Sequence, residues 1–304
     1  MDMMFPATVY DVPSQTPRVA VPLNRVTVCN QKIEVPFADD LFGSVSALFD
    51  VRADVTLRRS QRGIHMSRIE QAFQDQKQGL PIWEVALGIA RRIAEVQDQE
   101  GAVVSLSGDV IVRRDTNVTS LPSYNRVVVL AKAKAGATEE AGLGLEATIM
   151  TACPCMQAYA LDDLVRTFGL SVENPADVIG KVPIATHSQK GTVTAMVSGA
   201  SGDLRGVNLA MLYDIFGKAT HMTSELLKRP DEYEMVRRVH RRPQFVEDVV
   251  RDVLSELSVK LEGQSSALSL RVKAASFESI HGHDIEAECE LGLGELGRFL
   301  TESQ

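Results

Sequence analysis

The chain has 304 residues, 44% hydrophobic and 24% charged, with a formal net charge of −8, the balance of a globular protein of about two domains. An acidic excess, no long basic tract, one Trp and five Tyr argue against a nucleic-acid partner; no apolar run reaches the roughly 18–20 residues that span a bilayer. Four Cys are too few for a disulfide framework, and no basic stretch followed by an apolar run opens the chain, so the sequence reads as cytoplasmic with no membrane partner.

Residues 1–20 hold three Pro and little periodicity, and read as an extended arm. VTVCNQKIEVPF follows as a strand. In SALFDVRADVTLRRS, Val51, Ala53, Val55 and Leu57 alternate with Arg52, Asp54, Thr56 and Arg58, the pattern of a half-buried strand. RGIHMSRIEQAFQ reads as a helix capped by Ser67. PIWEVALGIARRIAEVQ reads as a second helix opened by Pro81, with Val85, Ile89 and Ile93 on one stripe. AVVSLSGDVIVRR and YNRVVVLAKAKAG are two more strands.

The second half repeats this order. LGLEATIMTA and KGTVTAMVSGA read as strands, separated by a helical insert at 156–183. LRGVNLAMLYDIFGKATHMTSELL and PQFVEDVVRDVLSELS read as helices, with a break between them bracketed by Pro230 and Pro243. SALSLRVKAASFES and HDIEAECEL close the set as strands. Strand pairs flanking helix pairs predict an α+β fold: antiparallel sheets with paired helices on one face. The implied division is an arm (1–20), a first unit (21–137) and a second unit (138–304). The repeat is one of element order, without residue-level self-similarity.

Four clusters carry chemistry. In TACPCMQ, Pro154 biases Cys153 toward extended backbone, which would turn Cys153 and Cys155 to one side; two inert thiols are the alternative. IATHSQKG presents His187 just ahead of a strand. ELLKRPDEYE and RRPQFVEDVVRD are rich in charge, as solvated helix ends are. FESIHGHDIE crowds Glu278, His281 and His283 into six residues. Extended backbone would put both His on one face and Glu278 on the other, whereas a bulge or turn would gather all three. Thiolate, imidazole and carboxylate together suit a mononuclear catalytic metal with an open position, with Fe(II), Mn(II) and Zn(II) all compatible. A zinc deaminase would need His-x-Glu and Pro-Cys-x-x-Cys, and neither occurs.

TACPCMQ, THSQKG, LLKRPDE, FVEDVVRD and FESIHGH, in that order and joined by RGIHMSR at 62–68, resemble the type IB GTP cyclohydrolases, including the archaeal MptA branch. The resemblance spans residues 20–292. It implies two tandem tunnelling-fold units that oligomerise into a barrel, as a homotetramer or dimer of dimers with sites at subunit interfaces. It implies metal-dependent opening of the guanine imidazole ring of GTP with release of formate, giving a 7,8-dihydroneopterin phosphate for pterin or folate-type cofactors. By the same resemblance Cys153, Glu232, Glu278 and His281 would hold one divalent metal per subunit. His187 would be the acid/base group or an additional metal-site residue, His283 would sit beside it in role, and Cys155 would lie near the metal. Glu247 would anchor the guanine edge, a task suited to a carboxylate accepting two N–H groups. His65, Ser67 and Arg68 would contact ribose or phosphate from a neighbouring subunit, with Lys190, Lys228 and Arg229 as further phosphate partners. The long insert between CPC and THSQK is similar to the MptA branch, whose product is a 2′,3′-cyclic phosphate; the other branch keeps the triphosphate. Two rivals on the same fold are a non-catalytic metal- or purine-binding protein and a reductase with a nucleophilic Cys.

Overall fold

The computed structural model describes residues 11–169, 178, 181–225 and 228–302. Half of the N-terminal arm, residues 170–177, 179 and 180 of the insert at 156–183 and residues 226–227 of the expected helix at 204–227 lie outside the described residues. Eight strands hydrogen-bond in sequence order in one sheet: β1 (Leu23–Asp39), β2 (Gly43–Leu57), β3 (Ala102–Asp115), β4 (Pro122–Ala135), β5 (Glu140–Ala152), β6 (Ser188–Ala200), β7 (Ser269–Ser276) and β8 (Ile285–Gly292). β1–β2, β2–β3 and β7–β8 pair antiparallel. Seven α-helices occur among the described residues: α1 (Met66–Gln74), α2 (Ile82–Val96), α3 (Pro154–Phe168), α4 (Leu209–Ala219), α5 (Arg229–Arg241), α6 (Val246–Lys260) and α7 (Leu293–Glu302). None is long and apolar enough to cross a membrane.

The chain forms two compact units. The first takes the chain up to Gly108 with Leu130–Leu143 and Ser198–Arg205; the second takes Asp109–Val129, Gly144–Val197 and the chain from Gly206. In the first unit the alternation read at 51–57 is the observed burial pattern, with Val51, Ala53, Val55 and Leu57 all inside. Phe37 and Phe49 meet edge to face, centroids 5.8 Å apart, a favoured aromatic geometry. Gly108 is required beside them, because a Cβ there would lie 2.7 Å from the Phe49 ring. Val85, Ile89 and Ile93 of α2 are buried as their spacing implies. The start of α1 differs from the expectation. His65 holds the N-cap position, no side chain caps it and Ser67 is already inside the helix. The buried Gln97 instead clamps the N-cap residue itself: its Oε1 accepts the His65 N–H at 3.0 Å and its Nε2 donates to the His65 carbonyl at 2.8 Å.

In the second unit the helix expected over 204–227 is shorter. Asn208 caps α4 by accepting the Met211 N–H, and Thr220 is extended at φ −129°. The chain then lies against β5: Met222 bridges Ile149, the Met150 N–H bonds the His221 carbonyl and the Thr223 N–H bonds the Thr148 carbonyl. The expected break between Pro230 and Pro243 is a helix of 13 residues, α5, with Pro230 in its first turn where no intrahelical N–H is needed. Charge density hid it, since only Asp231, Val239 and His240 of its 13 residues are buried. Asp231 is an anchor: its carboxylate accepts the N–H groups of Val118 and Thr119 and the Thr119 hydroxyl, at 3.0, 3.2 and 2.5 Å. Burial alone would raise its pKa, but these hydrogen bonds outweigh that and lower it. α7 was not anticipated, since Gly294 and Gly297 break the helical pattern.

His221 is almost wholly buried; its Nε2 lies 2.7 Å from the Arg242 carbonyl and must donate to it, while Nδ1 is buried without a partner. Burial, reinforced by the charges of Arg242, Arg238 and His240 and opposed by the Arg242 hydrogen bond, pushes its pKa down to about 4. The unfolded chain takes up this proton near pH 6.5 and the folded chain resists. The stabilising effect of neutral His221 is therefore full above that pH and is lost as the pH falls from there toward 4, by at most about 3 kcal/mol. Urea unfolding at a series of pH values should show this slope, and His221→Gln, which cannot titrate, should flatten it.

Candidate metal and active site

The site lies in the second unit, at one end of three neighbouring strands. Each strand carries an apolar stripe of period two: Leu143, Leu145, Ala147 and Ile149 on β5, Val193, Ala195 and Val197 on β6, and Leu270, Val272 and Ala274 on β7, all buried. Each stripe continues by the same parity into one buried polar residue: Thr151, Gln189 and Ser276. These three meet. The Thr151 and Ser276 hydroxyls are 3.0 Å apart, and Gln189 Nε2 lies 3.1 Å from Ser276 Oγ.

Close packing of β6 on β7 sets this register. The Lys190 carbonyl accepts the Phe277 N–H at 2.9 Å, and a Cβ on Gly191 would fall 2.1 Å from the Ala275 carbonyl oxygen. Only glycine fits. After β7 the chain turns through Phe277–Asp284, and the Glu278 N–H bonds Asp284 Oδ1 at 3.0 Å. Of the two geometries open to FESIHGHDIE, the structure adopts the turn.

The turn brings Glu278 and His281 to His187: one donor atom from each of these three lies within 4.8 Å of the others. His187 and Glu278 side chains are only 12% and 6% exposed, with Nδ1 and Oε2 3.8 Å apart. The His187 and His281 rings pack edge to face at 5.8 Å, and His283 stacks on His281 at 5.4 Å. Glu278 Oε1 accepts from Gln189 Nε2 at 2.9 Å and Ser276 Oγ at 3.0 Å. Its Oε2 is buried without a hydrogen-bond partner. A buried carboxylate oxygen left unpaired is costly, and two imidazoles within reach make a divalent cation the partner that fits.

The other expected residues are placed as follows. Cys153 is the N-cap of α3; its Sγ accepts the Met156 N–H at 3.4 Å, and its own N–H bonds the His187 carbonyl at 3.3 Å. It thus adjoins His187 through the backbone, but its sulfur is outside the group of three. The expectation that Cys153 and Cys155 share the side of an extended segment fails locally. Pro154 starts α3, so Cys155 is in the first helical turn and exposed. Glu232 is exposed in the first turn of α5 and Glu247 exposed in the first turn of α6; neither is in the group of three. Lys190 is exposed on β6. His65, Ser67 and Arg68 belong to the first unit, where His65 Nε2 lies 3.2 Å from Ser14 Oγ and Arg68 donates to the Val96 carbonyl. Reasoning from sequence missed Thr151, Gln189 and Ser276. Their signal was available: a polar side chain on the buried parity at the end of an apolar strand.

A family model described as "Type I GTP cyclohydrolase folE2" matches residues 9–287. The chain belongs to the type I GTP cyclohydrolase family. Its family makes it a hydrolase of the GTP cyclohydrolase class. A GTP cyclohydrolase named MptA 2 from Methanocella arvoryzae is 31% identical over 302 residues, covering 94% of this chain and 97% of that protein. GTP cyclohydrolases MptA from Methanococcus vannielii and Haloquadratum walsbyi are each 29% identical, covering 94% and 96% of this chain and 97% and 98% of theirs. Among solved structures a uricase from Bacillus fastidious aligns at TM-score 0.44 and 6% identity over 90% of this chain and 95% of its own, a likeness too low to bear on function or assembly.

For this cyclohydrolase, Gly191→Ala tests the close approach of β6 to β7. The added methyl cannot be accommodated by a backbone oxygen at 2.1 Å, and overpacking of this kind costs about 1–3 kcal/mol. Urea unfolding should show that loss.

Proposed function

We propose that this protein opens the imidazole ring of GTP by hydrolysis, with loss of formate, at a divalent metal held in the second unit. The observation that carries the reading is the buried, unpartnered Oε2 of Glu278 facing His187 and His281. Glu278, His281 and the thiol of Cys153 are the proposed ligands, with Glu232 completing the set and His187 adjoining it. Fe(II), Mn(II) and Zn(II) are each compatible with sulfur, nitrogen and oxygen donors. When bound, such an ion supplies a Lewis acid that makes water nucleophilic near neutral pH.

The chain's own residues carry the remaining work. Glu247 accepts the N–H groups of the guanine edge and so fixes the orientation of the base. Lys190, Arg68, Lys228 and Arg229 neutralise the phosphates, and His65 and Ser67 bind ribose or phosphate. Two C–N bonds break on the way to formate, and each departing nitrogen needs a proton. His187, largely screened from water, takes a proton from the attacking water and returns it to the departing nitrogen at each cleavage, with His283 as its partner across the His281 ring.

We read residues 21–137 and 138–304 as tandem tunnelling-fold units, following an arm at 1–20 and with a helical insert at 156–183. The strand order leaves β1 and β8 at the two ends of the sheet. Such edges are satisfied when copies join into a barrel, which supports a homotetramer or dimer of dimers. The MptA relatives, matched over nearly the full length, favour 7,8-dihydroneopterin 2′,3′-cyclic phosphate over the triphosphate as product.

Anaerobic incubation of the purified chain with GTP and Fe(II), Mn(II) or Zn(II), followed by mass spectrometry, should show formate and a dihydroneopterin phosphate, and a chelator should abolish both. Cys153→Ala should lose metal-dependent turnover by at least about 100-fold; undiminished turnover would remove Cys153 from the ligand set. Metal uptake without formate would instead indicate a binding protein, and metal-independent turnover blocked by thiol alkylation would indicate a Cys-nucleophile enzyme. Glu247→Gln should weaken GTP binding by about 1.5–3 kcal/mol, the strength of charge-assisted hydrogen bonds, read as a higher KM.

A further inference from the structure

The hydrogen bonds around Gln189 have one consistent arrangement of protons, and it fixes the chemical state of His187. The ionised Glu278 carboxylate can only accept. Both groups on its Oε1, Gln189 Nε2 at 2.9 Å and Ser276 Oγ at 3.0 Å, must therefore donate. Ser276 has a single hydroxyl hydrogen and gives it to Glu278. Its oxygen then accepts from the second N–H of Gln189 at 3.1 Å and from the Thr151 hydroxyl at 3.0 Å. With the amide nitrogen facing the carboxylate, the amide oxygen faces the histidine: Gln189 Oε1 lies 3.1 Å from His187 Nδ1. An amide oxygen can only accept, so Nδ1 carries the hydrogen and Nε2 is left bare.

We propose that Gln189 is a positioning residue that holds neutral His187 in the Nδ1–H form. Its one amide thereby turns Nε2 into the nitrogen available to a cation or a proton, while its other end binds Glu278 Oε1 and leaves Oε2, 3.8 Å from Nδ1, without a hydrogen bond. Thr151 and Ser276 brace it from behind. All three are buried, at 2%, 8% and 3% exposure for Thr151, Gln189 and Ser276, so water does not compete for these bonds. The same logic recurs around metal-binding histidines generally, where the partner of one ring nitrogen sets the state of the other. The part concerning metal affinity rests on the metal reading above; the part concerning His187 rests on the hydrogen bonds alone.

The test uses the full chain, metal-free, labelled with 15N-histidine and assigned with His187→Gln. At about pH 8, above the ordinary histidine range, long-range 1H–15N spectra should show His187 protonated at Nδ1 and bare at Nε2. An Nε2–H tautomer in the wild-type chain overturns the inference, whatever any variant does. Gln189→Met, similar in length and apolar, should release the fixed tautomer and weaken Co(II) binding about 10–100-fold, with a changed visible Co(II) spectrum and an unchanged far-UV circular dichroism spectrum. Ser276→Ala, which removes one donor to Glu278 and leaves the His187 contact, should weaken Co(II) binding less and keep the Nδ1–H signature. Equal Co(II) affinity and spectrum in wild type and Gln189→Met would overturn the role of Gln189. A wild-type chain that takes up no Co(II) would sink the metal reading, and the tautomer measurement would still decide this one.

Discussion

A carboxylate has no hydrogen to give, and the second unit is organised around that fact at Glu278. Two donors from two strands converge on one of its oxygens, and the other oxygen is left facing the imidazoles of a preceding loop and of its own turn. The apolar stripes of β5, β6 and β7 supply the dry surroundings in which such bonds are strong. The polar ends of those stripes supply the donors. The core and the site are thus one continuous object: the strand geometry that buries Val193 and Val272 also aims Gln189 and Ser276 at the same atom.

The backbone enforces the same alignment. The Phe277 N–H donates to the Lys190 carbonyl, and Gly191 lets β6 approach β7 more closely than any side chain would permit. The N-cap of α3 is tied to the His187 carbonyl through the Cys153 N–H, and the Thr186 hydroxyl holds the Cys153 carbonyl at 3.1 Å. The loop carrying His187 is in this way fixed to both a helix start and a strand start. A site that must hold reacting groups to fractions of an ångström is well served by elements that cannot slide.

Much of this was readable from residue order. Period-two alternation located the strands, and four-residue spacing located α2, because those signals come directly from which face meets the core. The motifs on which the family resemblance rested also pointed to His187, Glu278 and His281, which the structure brings together. Three things were not legible. α5 shows few buried residues, so charge masked its helical period. The segment after α4 is extended because its hydrogen bonds are made with β5, a partner distant in the chain. The role of Gln189 depends on which atoms of Ser276 and Glu278 it meets some 90 residues away, and no local pattern encodes that.

The KRPDE motif has an asymmetry with practical weight. Two adjacent carboxylates point to different fates: Glu232 is open to solvent, while Asp231 is sealed against the 116–121 turn and holds it by three hydrogen bonds. A saturation screen scored only on growth or product would read any loss at either position in the same way. Losses at Asp231 would instead reflect a misplaced turn, and soluble yield would separate them from losses of chemistry.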